Sequence, residues 1–346
     1  MKILFFSDIH FHNNHRFSKM TDQGFTTREL EHLSCADDII KICLEEKVDR
    51  IIFGGDLYGP VGDTISCQTQ TAVTLFFVKL SGLNIPIDLL VGNHDLSMNT
   101  NTYYVHKLLP FKYWNNFTVY DSPAEVNDFI YMPYCTSDEY AEMFLNNVNN
   151  KENKIIFSHL EIKNINLGNG IFTKKGVDLE LLKQFKMTLQ GHYHSGGSLA
   201  KNIKVSGSTQ RLSFKDNGIA RNNIILYDTN SNKVERRSFN CPDWLTFNDD
   251  NIEDILNISD NNYVKVEVTL DMLITDKIKE KLNKVLDKDI HIELHRIKTN
   301  KQIDEEVKSE DEKGILTQFI TKSDNSDEQK QLLIEEGNNL IDRVKN

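Results

Sequence analysis

Leu189-Gln-Gly-His-Tyr-His-Ser195 places two histidines, His192 and His194, on one short loop after a glycine. Imidazoles so spaced suit a divalent metal ion. Groups of the same chemical kind lie upstream in Asp8-Ile-His10, Gly55-Asp56, Gly92-Asn-His-Asp95 and Ser158-His159. Carboxylate, imidazole and amide oxygen are the mixture that hard and borderline divalent cations take. Asp8, His10, Asp56, Asn93, His159, His192 and His194 supply it, and Asp56 is suited to bridge two ions. Two ions about 3.5–4 Å apart can hold a hydroxide between them and clamp both oxygens of an in-line displacement at phosphorus. Such a site needs no side-chain nucleophile. His94, beside Asn93, suits a different role, that of contacting the phosphoryl group or protonating the leaving oxygen. Asp95 is placed to orient the His94 ring, as carboxylates do for catalytic imidazoles. Each motif alone reads as a polar turn; their joint occurrence in this order carries the specificity.

These motifs need elements to position them, and each follows a short apolar run. Ile3–Phe6 precedes Asp8, Asp49–Phe53 precedes Asp56, and Ile85–Val91 precedes Asn93. Lys154–Phe157 precedes His159, and Lys186–Gln190 precedes His192. Short apolar runs of this kind read as buried strands. Helices are expected over Thr27–Lys47, with Leu30, Leu33, Ile39, Ile40, Cys43 and Leu44 near helical spacing, and over Thr69–Leu80, with Val73, Phe76, Phe77 and Leu80 on one side. Alternating strand and helix, with polar residues at the carboxyl ends of strands, is where open α/β sheets place their sites. Further strands are expected at Phe117–Tyr120, Asp128–Met132, Ile203–Val205, Gly207–Thr209 and Asn223–Tyr227, the last followed by a hairpin turn over Asp228–Lys233. A helix is expected over Asp138–Val148.

The pattern changes after Cys241. Asn262–Thr269 and Ile290–Arg296 alternate as half-exposed strands around an amphipathic helix at Asp276–Leu286. Lys298–Asp311 is charged and nearly free of apolar residues, as in a linker. A short apolar patch, Ile315–Ile320, precedes a helix expected over Asp327–Val344, with Leu333, Leu340, Ile341 and Val344 on one face. That face either packs on its own chain or docks on a partner helix.

At 346 residues the chain has room for a large domain and one or two small ones. A net charge of -11 argues against an indiscriminate polyanion binder but leaves room for a local basic face. The 5 cysteines are widely spaced, with no Cys-x-x-Cys, which fits reduced thiols and no zinc knuckle. The apolar start is too short for a signal peptide, so the expectation is a cytoplasmic protein of a bacterial cell or phage-infected host.

Taken together, Asp8-x-His10, Gly55-Asp56, Gly92-Asn-His-Asp95, His159 and Gly191-His-x-His194 resemble the calcineurin-like metallophosphoesterase superfamily, from the N-terminus to about residue 230. Within it the chain is similar to the SbcD-type nuclease subunit of double-strand-break repair complexes, phage recombination nucleases included. That likeness rests on the opening Met1-Lys-Ile-Leu-x-x-Ser-Asp-Ile-His10, on Ser206-Gly-Ser-Thr-Gln-Arg-Leu-Ser-Phe214, and on a small domain and tail after the core. The resemblance implies a four-layer α/β/β/α core over 1–240, a small α/β capping, DNA-binding domain over 241–297, and a charged linker with a helical, partner-binding tail over 298–346. It assigns Asp8, His10, Asp56 and His194 to one metal, and Asp56, Asn93, His159 and His192 to the other. It gives His94 the catalytic role and implies manganese, with magnesium as the other candidate. It further implies 3′-to-5′ exonuclease and endonuclease action on DNA, a homodimer, and an SbcC-like coiled-coil ATPase bound through the tail. Gly59 departs from the branch, which usually has Asp or His there, and this bears on a secondary phosphate contact. Ser206 stands where Pro is frequent. The alternatives are a phosphodiesterase or phosphatase of the same superfamily acting on nucleotides or phosphoproteins, or a DNA-binding assembly subunit whose site is structural. The complete ligand set argues against the last.

Other residues have plainer readings. His12, His15 and His32 are expected as exposed loop or helix histidines, and His106, His291 and His295 as surface residues. Phe5, Phe53, Phe76 and Phe77 are expected in the core. Arg211, Lys215 and Arg221 after the site, and Lys174 and Lys175 before its last motif, are either solvated charges or cations of a groove that tracks phosphates.

Overall fold

The structure is a computed structural model and describes residues 1–13, 18–59, 64–97, 105–165, 172–212, 214, 223–248, 251, 254, 262–269, 291–297 and 329–335. Two compact units divide the chain: Met1–Leu245 with Asn261–Tyr263, and Thr246–Asp260 with Val264–Asn346.

In the first unit Ile3, Leu4, Phe5 and Phe6 have no polar side chains to solvate, and all are fully buried in β1 (Lys2–Phe6). Burial on both faces marks a strand covered from two sides. β1 pairs in parallel with β2 (Arg50–Phe53), β2 with β3 (Ile87–Leu90), and β3 with β4 (Phe117–Tyr120). Two crossovers are helical. α1 (Thr27–Glu46) starts at a capping box in which Thr26 and Glu29 satisfy each other's backbone N–H, and it ends on a left-handed Lys47. α2 (Cys67–Ser81) starts at an N-cap hydroxyl, Ser66, and buries Val73, Phe76, Phe77 and Leu80.

The second sheet repeats the scheme. β5 (Ala124–Val126) and β9 (Gly197–Ala200) are its antiparallel edges. Between them β6 (Phe129–Met132), β7 (Ile155–Ser158), β8 (Met187–Gln190) and β10 (Ile203–Val205) run parallel. β11 (Ile224–Asp228) and β12 (Lys233–Arg237) return antiparallel onto β1. The sheet orders are β12-β11-β1-β2-β3-β4 and β5-β6-β7-β8-β10-β9. One apolar core lies between the first sheet and α1 and α2, around Phe6, Phe53, Phe76 and Phe77. A second lies between the sheets, with Phe5, Leu90, Phe157 and Leu189. A third lies between the second sheet and α3 (Asp138–Asn147) and α4 (Leu179–Leu182). This is the expected α/β/β/α layering. Each buried Phe or Leu contributes about 1.5–3 kcal/mol, so the cores hold the sheets in fixed apposition.

A polar tie crosses the inter-sheet core. Asp88, fully buried, accepts from Arg50 Nη1 at 2.7 Å in its own sheet and from the Tyr131 hydroxyl at 2.6 Å in the other. Tyr131 also stacks on Tyr120 at 3.7 Å between ring centroids.

The second unit contains most of a three-stranded sheet, order β13 (Trp244–Asn248), β14 (Tyr263–Thr269), β15 (His291–Ile297). Residues 329–335 are helical, with Leu333 exposed. The expected helix at 276–286, the segment 298–311, the patch 315–320, the rest of the tail helix, and the side chains of His291 and His295 lie outside the described residues. Among the described residues no helix is long and apolar enough to cross a membrane.

Several expectations are corrected. Gly207–Thr209 is no strand: Gly207 turns at φ 86° and Ser208 makes a single bridge to Ser7, as the chain passes from one sheet to the other. His32 is fully buried rather than exposed, because its face of α1 packs on Phe11 with ring centroids 5.0 Å apart. His106 is buried against Asp121. Leu44 lies on the outer face of α1 at 67% exposure.

Replacing Arg50 with Met would leave the Asp88 carboxylate buried and unpaired by its cation. The expected loss is about 3 kcal/mol, read as a lower urea midpoint for the first unit. R50M/D88L should recover most of it; equal loss in both variants would contradict this account of the tie.

Candidate metal centre

The ligand candidates sit where parallel strands end. Asp8 and His10 follow β1, Asp56 follows β2, Asn93 follows β3, His159 follows β7, and His192 and His194 follow β8. Both sheets point these ends the same way, so residues far apart in the chain meet. Donor atoms within 4.8 Å of one another form the sets Asp8, His10, His194; His10, Asp56, His94; and Asp56, His159, His192. Asn93 joins them, its Oδ1 lying 3.2 Å from His159 Nε2 and 3.1 Å from His192 Nδ1.

Reversing direction straight after a strand requires unusual backbone. Asp8 (φ 55°), His10 (φ 57°), Asp56 (φ 58°) and His192 (φ 70°) all occupy the left-handed region, which costs side-chain-bearing residues of order 1 kcal/mol or more each. Hydrogen bonds hold these turns. The Asp8 amide donates to Gly55 O at 2.9 Å and the His10 amide to Asp56 O at 3.2 Å. Asp95 does the largest share. Its buried carboxylate accepts from the amides of Asp56, Leu57 and Tyr58 at 3.0, 3.0 and 3.1 Å, and from Gly92 at 2.9 Å. The carboxylate therefore staples the β2 loop to the β3 loop. Its oxygens are committed to backbone, so it sets His94 by fixing the turn rather than by holding the ring.

Each candidate ligand carboxylate presents one oxygen inward. Asp56 Oδ1 accepts the His94 amide at 2.9 Å, while Oδ2 lies 3.3 Å from His159 Nε2, 3.8 Å from His10 Nε2 and 3.9 Å from His94 Nε2. Asp8 Oδ2 accepts from the Ser7 hydroxyl and from the His192 amide at 3.1 Å. Asp8 Oδ1 is buried with no hydrogen-bond partner among the described residues, 3.9 Å from His10 Nε2 and 3.8 Å from His194 Nε2. The imidazoles are oriented from behind. His159 Nδ1 faces the Gly54 carbonyl at 2.6 Å, which places the N–H there and turns Nε2 into the cluster. His10 and His194 then bring two Nε2 atoms within 3.1 Å of each other, and His159 Nε2 and His192 Nδ1 lie 3.3 Å apart. Facing nitrogen lone pairs, an orphaned carboxylate oxygen and an amide oxygen at one point fit a pair of divalent cations.

The electrostatics agree. Burial lifts the Asp8 carboxyl to about 6 and pushes His10 and His192 down to about 3, the neutral form that binds metal. Burial acts against a charged His159, but Asp56 and Asp8 outweigh it and raise its pKa to about 9. Burial works against a charged Asp56 too, yet the surrounding imidazoles hold it below the usual carboxylate range. Burial also lowers His94, whose side chain is 25% exposed at the rim.

The described basic candidates, Arg211, Lys174 and Lys175, are not among the donor sets. Arg211 donates to the Trp244 carbonyl at 3.0 Å and lies 3.8 Å from Asp243, so it braces the end of the first unit. Lys174 and Lys175 are exposed. Lys215, Arg221 and His15 lie outside the described residues. His12 is half-buried, its ring beside Gly59, where a Cβ would come within 2.8 Å of it. Sequence reasoning missed the supports: Ser7, Ser206 at 2.6 Å from it, and Gln190, whose amide holds the Leu160 and Gly191 carbonyls at 2.8 and 3.0 Å. Ser7 and Gln190 adjoin candidate ligand motifs, and Ser206 opens the Ser206–Phe214 segment; neither signal tells of a supporting role.

Two outcomes follow from this geometry. Gly92→Ala would drive a Cβ into the Asp56 carboxylate and the Asp56 backbone nitrogen, so the loops after β2 and β3 must part and metal affinity should fall roughly 10–100-fold. Unchanged affinity would contradict the packing. Near pH 7 a metal-free His159 carries a proton that a ligand must lose, so loading should release roughly one proton per chain, and more below pH 6 as Asp8 protonates. Affinity should rise with pH through this range. Calorimetric titration in buffers of different ionisation enthalpy reads it; heats independent of the buffer would contradict it.

Comparison with known proteins gives one family: the calcineurin-like phosphoesterases match residues 1–220. Among solved structures, the chain is similar to Yfce, a phosphoesterase from E. coli, at 11% identity and a TM-score of 0.32, over 69% of this chain and 100% of that one. It is similar to a dimetal phosphatase from Danio rerio at 10% identity and 0.32, over 59% and 85%. It is similar to the nuclease MPE of Pseudomonas putida at 13% identity and 0.26, over 68% and 87%. At these values no functional detail passes from any of them. The profile match spans the strands and loops that build the donor cluster, and the chain belongs to the calcineurin-like phosphoesterase family.

Proposed function

We propose that this metal-dependent phosphoesterase is a DNA nuclease, a 3′-to-5′ exonuclease and endonuclease subunit of a recombination or double-strand-break repair complex. The observation that carries hydrolysis at phosphorus is the convergence of Asp8, His10, Asp56, Asn93, His159, His192 and His194 with a rim histidine, His94. The DNA assignment rests on sequence: the opening Met1–His10 segment, Ser206–Phe214 after the histidine pair, and the unit that follows the core.

When bound, two divalent cations, manganese in this reading, supply Lewis acidity and an activated water. The chain's own residues do the rest. Asp56, which belongs to two of the donor sets, would be the ligand shared by the two ions. Gly54 O and the Ser7–Asp8 contact hold His159 and Asp8 in their ligating orientation. His94 binds the phosphoryl oxygens or gives its proton to the leaving oxygen, and its neutral resting state requires it to take up a proton before the second of these. The partners in this reading are DNA, a second copy of the chain, and an SbcC-like coiled-coil ATPase engaged through the tail.

End-labelled linear duplex DNA tests the reading, incubated with manganese, magnesium or chelator. Manganese-dependent shortening from the 3′ ends is expected, reduced by roughly 100-fold or more in His94→Ala with metal content unchanged. Turnover of bis-(p-nitrophenyl) phosphate with no cutting of DNA, alone or with the ATPase present, would instead favour a nucleotide phosphodiesterase.

A further inference from the structure

The chain leaving His94 turns back beside it. Leu96 bridges antiparallel to His106, the Ser97 amide donates to Val105 O at 3.3 Å, and the Lys107 amide donates to Asp95 O at 2.8 Å. The returning segment is anchored to the first sheet, because buried His106 lies 3.2 Å from Asp121 Oδ2, directly after β4. That anchoring delivers Lys107 to the His94 turn. Its ammonium donates to the His94 carbonyl at 2.9 Å and sits 5.7 Å from the centroid of the Tyr58 ring. Tyr58 hangs by its own amide from Asp95. One half-buried cation thus links the backbone of His94 to the loop that carries Asp56.

We propose that Lys107 is a positioning residue for His94. Its ammonium holds the carbonyl of the His94 turn, so that the imidazole meets the phosphoryl group in one orientation. A charge-assisted bond is about twice as strong as a neutral one, and the Tyr58 face adds a second attraction for the same cation. The His94 side chain is a quarter exposed and its ring meets His10 edge-on at 4.9 Å between centroids, but its Nδ1 has no hydrogen-bond partner among the described residues, so its aim depends on its backbone. The consequence is kinetic: misplacing a catalytic group by a fraction of an ångström costs rate without removing binding. The inference rests on His94 acting in metal-dependent phosphoester hydrolysis.

The experiment uses the full chain, manganese and bis-(p-nitrophenyl) phosphate, with K107M, K107R, H94A and H94A/K107M. K107M should lose roughly 10–100-fold in kcat, with KM and bound metal unchanged. K107R, which keeps a donor, should retain most of the activity. On the H94A background K107M should cost nothing further, since a residue acting through His94 has nothing left to position. K107M within about twofold of wild type, beside an impaired H94A, would overturn the proposal. So would a loss that adds in full to that of H94A, or one that tracks lost metal. H94A equal to wild type would remove the role of His94 itself, and the positioning role with it.

Discussion

The constraint on which this structure depends is the burial of two carboxylates, Asp8 and Asp56, side by side at the meeting point of two sheets. Placing charge there is costly unless something of opposite sign is close. The imidazoles meet that need in part, and His159 takes a proton most readily because it touches Asp56. They do not meet it fully: Asp8 keeps an inward oxygen with no partner among the described residues. Divalent cations would complete the balance, and the surrounding protein reads as the apparatus that keeps the candidate donors aimed while the charge is uncompensated.

That apparatus is mostly backbone. The left-handed turns at Asp8, His10, Asp56 and His192 aim side chains that a simple strand end would send elsewhere. Their strain is sustained by a rigid frame. The inter-sheet core fixes the strand ends, and Asp95 gathers four amides from two loops. The absence of a side chain at Gly92 lets the Asp56 carboxylate lie against the neighbouring loop. Precision at the centre is thus produced by groups that never face it.

Much of this was legible in the sequence. The doubly buried strands announce themselves as apolar runs, Ile3–Phe6 above all, and the candidate ligands follow them at once. The helices α1 and α2 show their spacing plainly. What was not legible depends on tertiary partners. β5 and β9 are short, exposed edges whose sequences, Ala-Glu-Val and Gly-Ser-Leu-Ala, carry no apolar pattern. His32 and His106 look like surface histidines until Phe11 and Asp121 are seen against them. Asp95 sits beside His94 in sequence, which suggests a partner for the ring. The geometry shows its carboxylate used up by backbone, a role that spacing alone cannot reveal. The hydrogen bond from Arg211 to the Trp244 carbonyl is likewise beyond what spacing reveals.

The most direct measurement is an anomalous difference map from crystals of the full chain grown with manganese. Two peaks are predicted inside the donor cluster. One should be ringed by Asp8, His10, Asp56 and His194, the other by Asp56, Asn93, His159 and His192, with Asp56 touching both. A single peak, or a pair in which Asp56 reaches only one ion, would contradict the bridged two-metal centre.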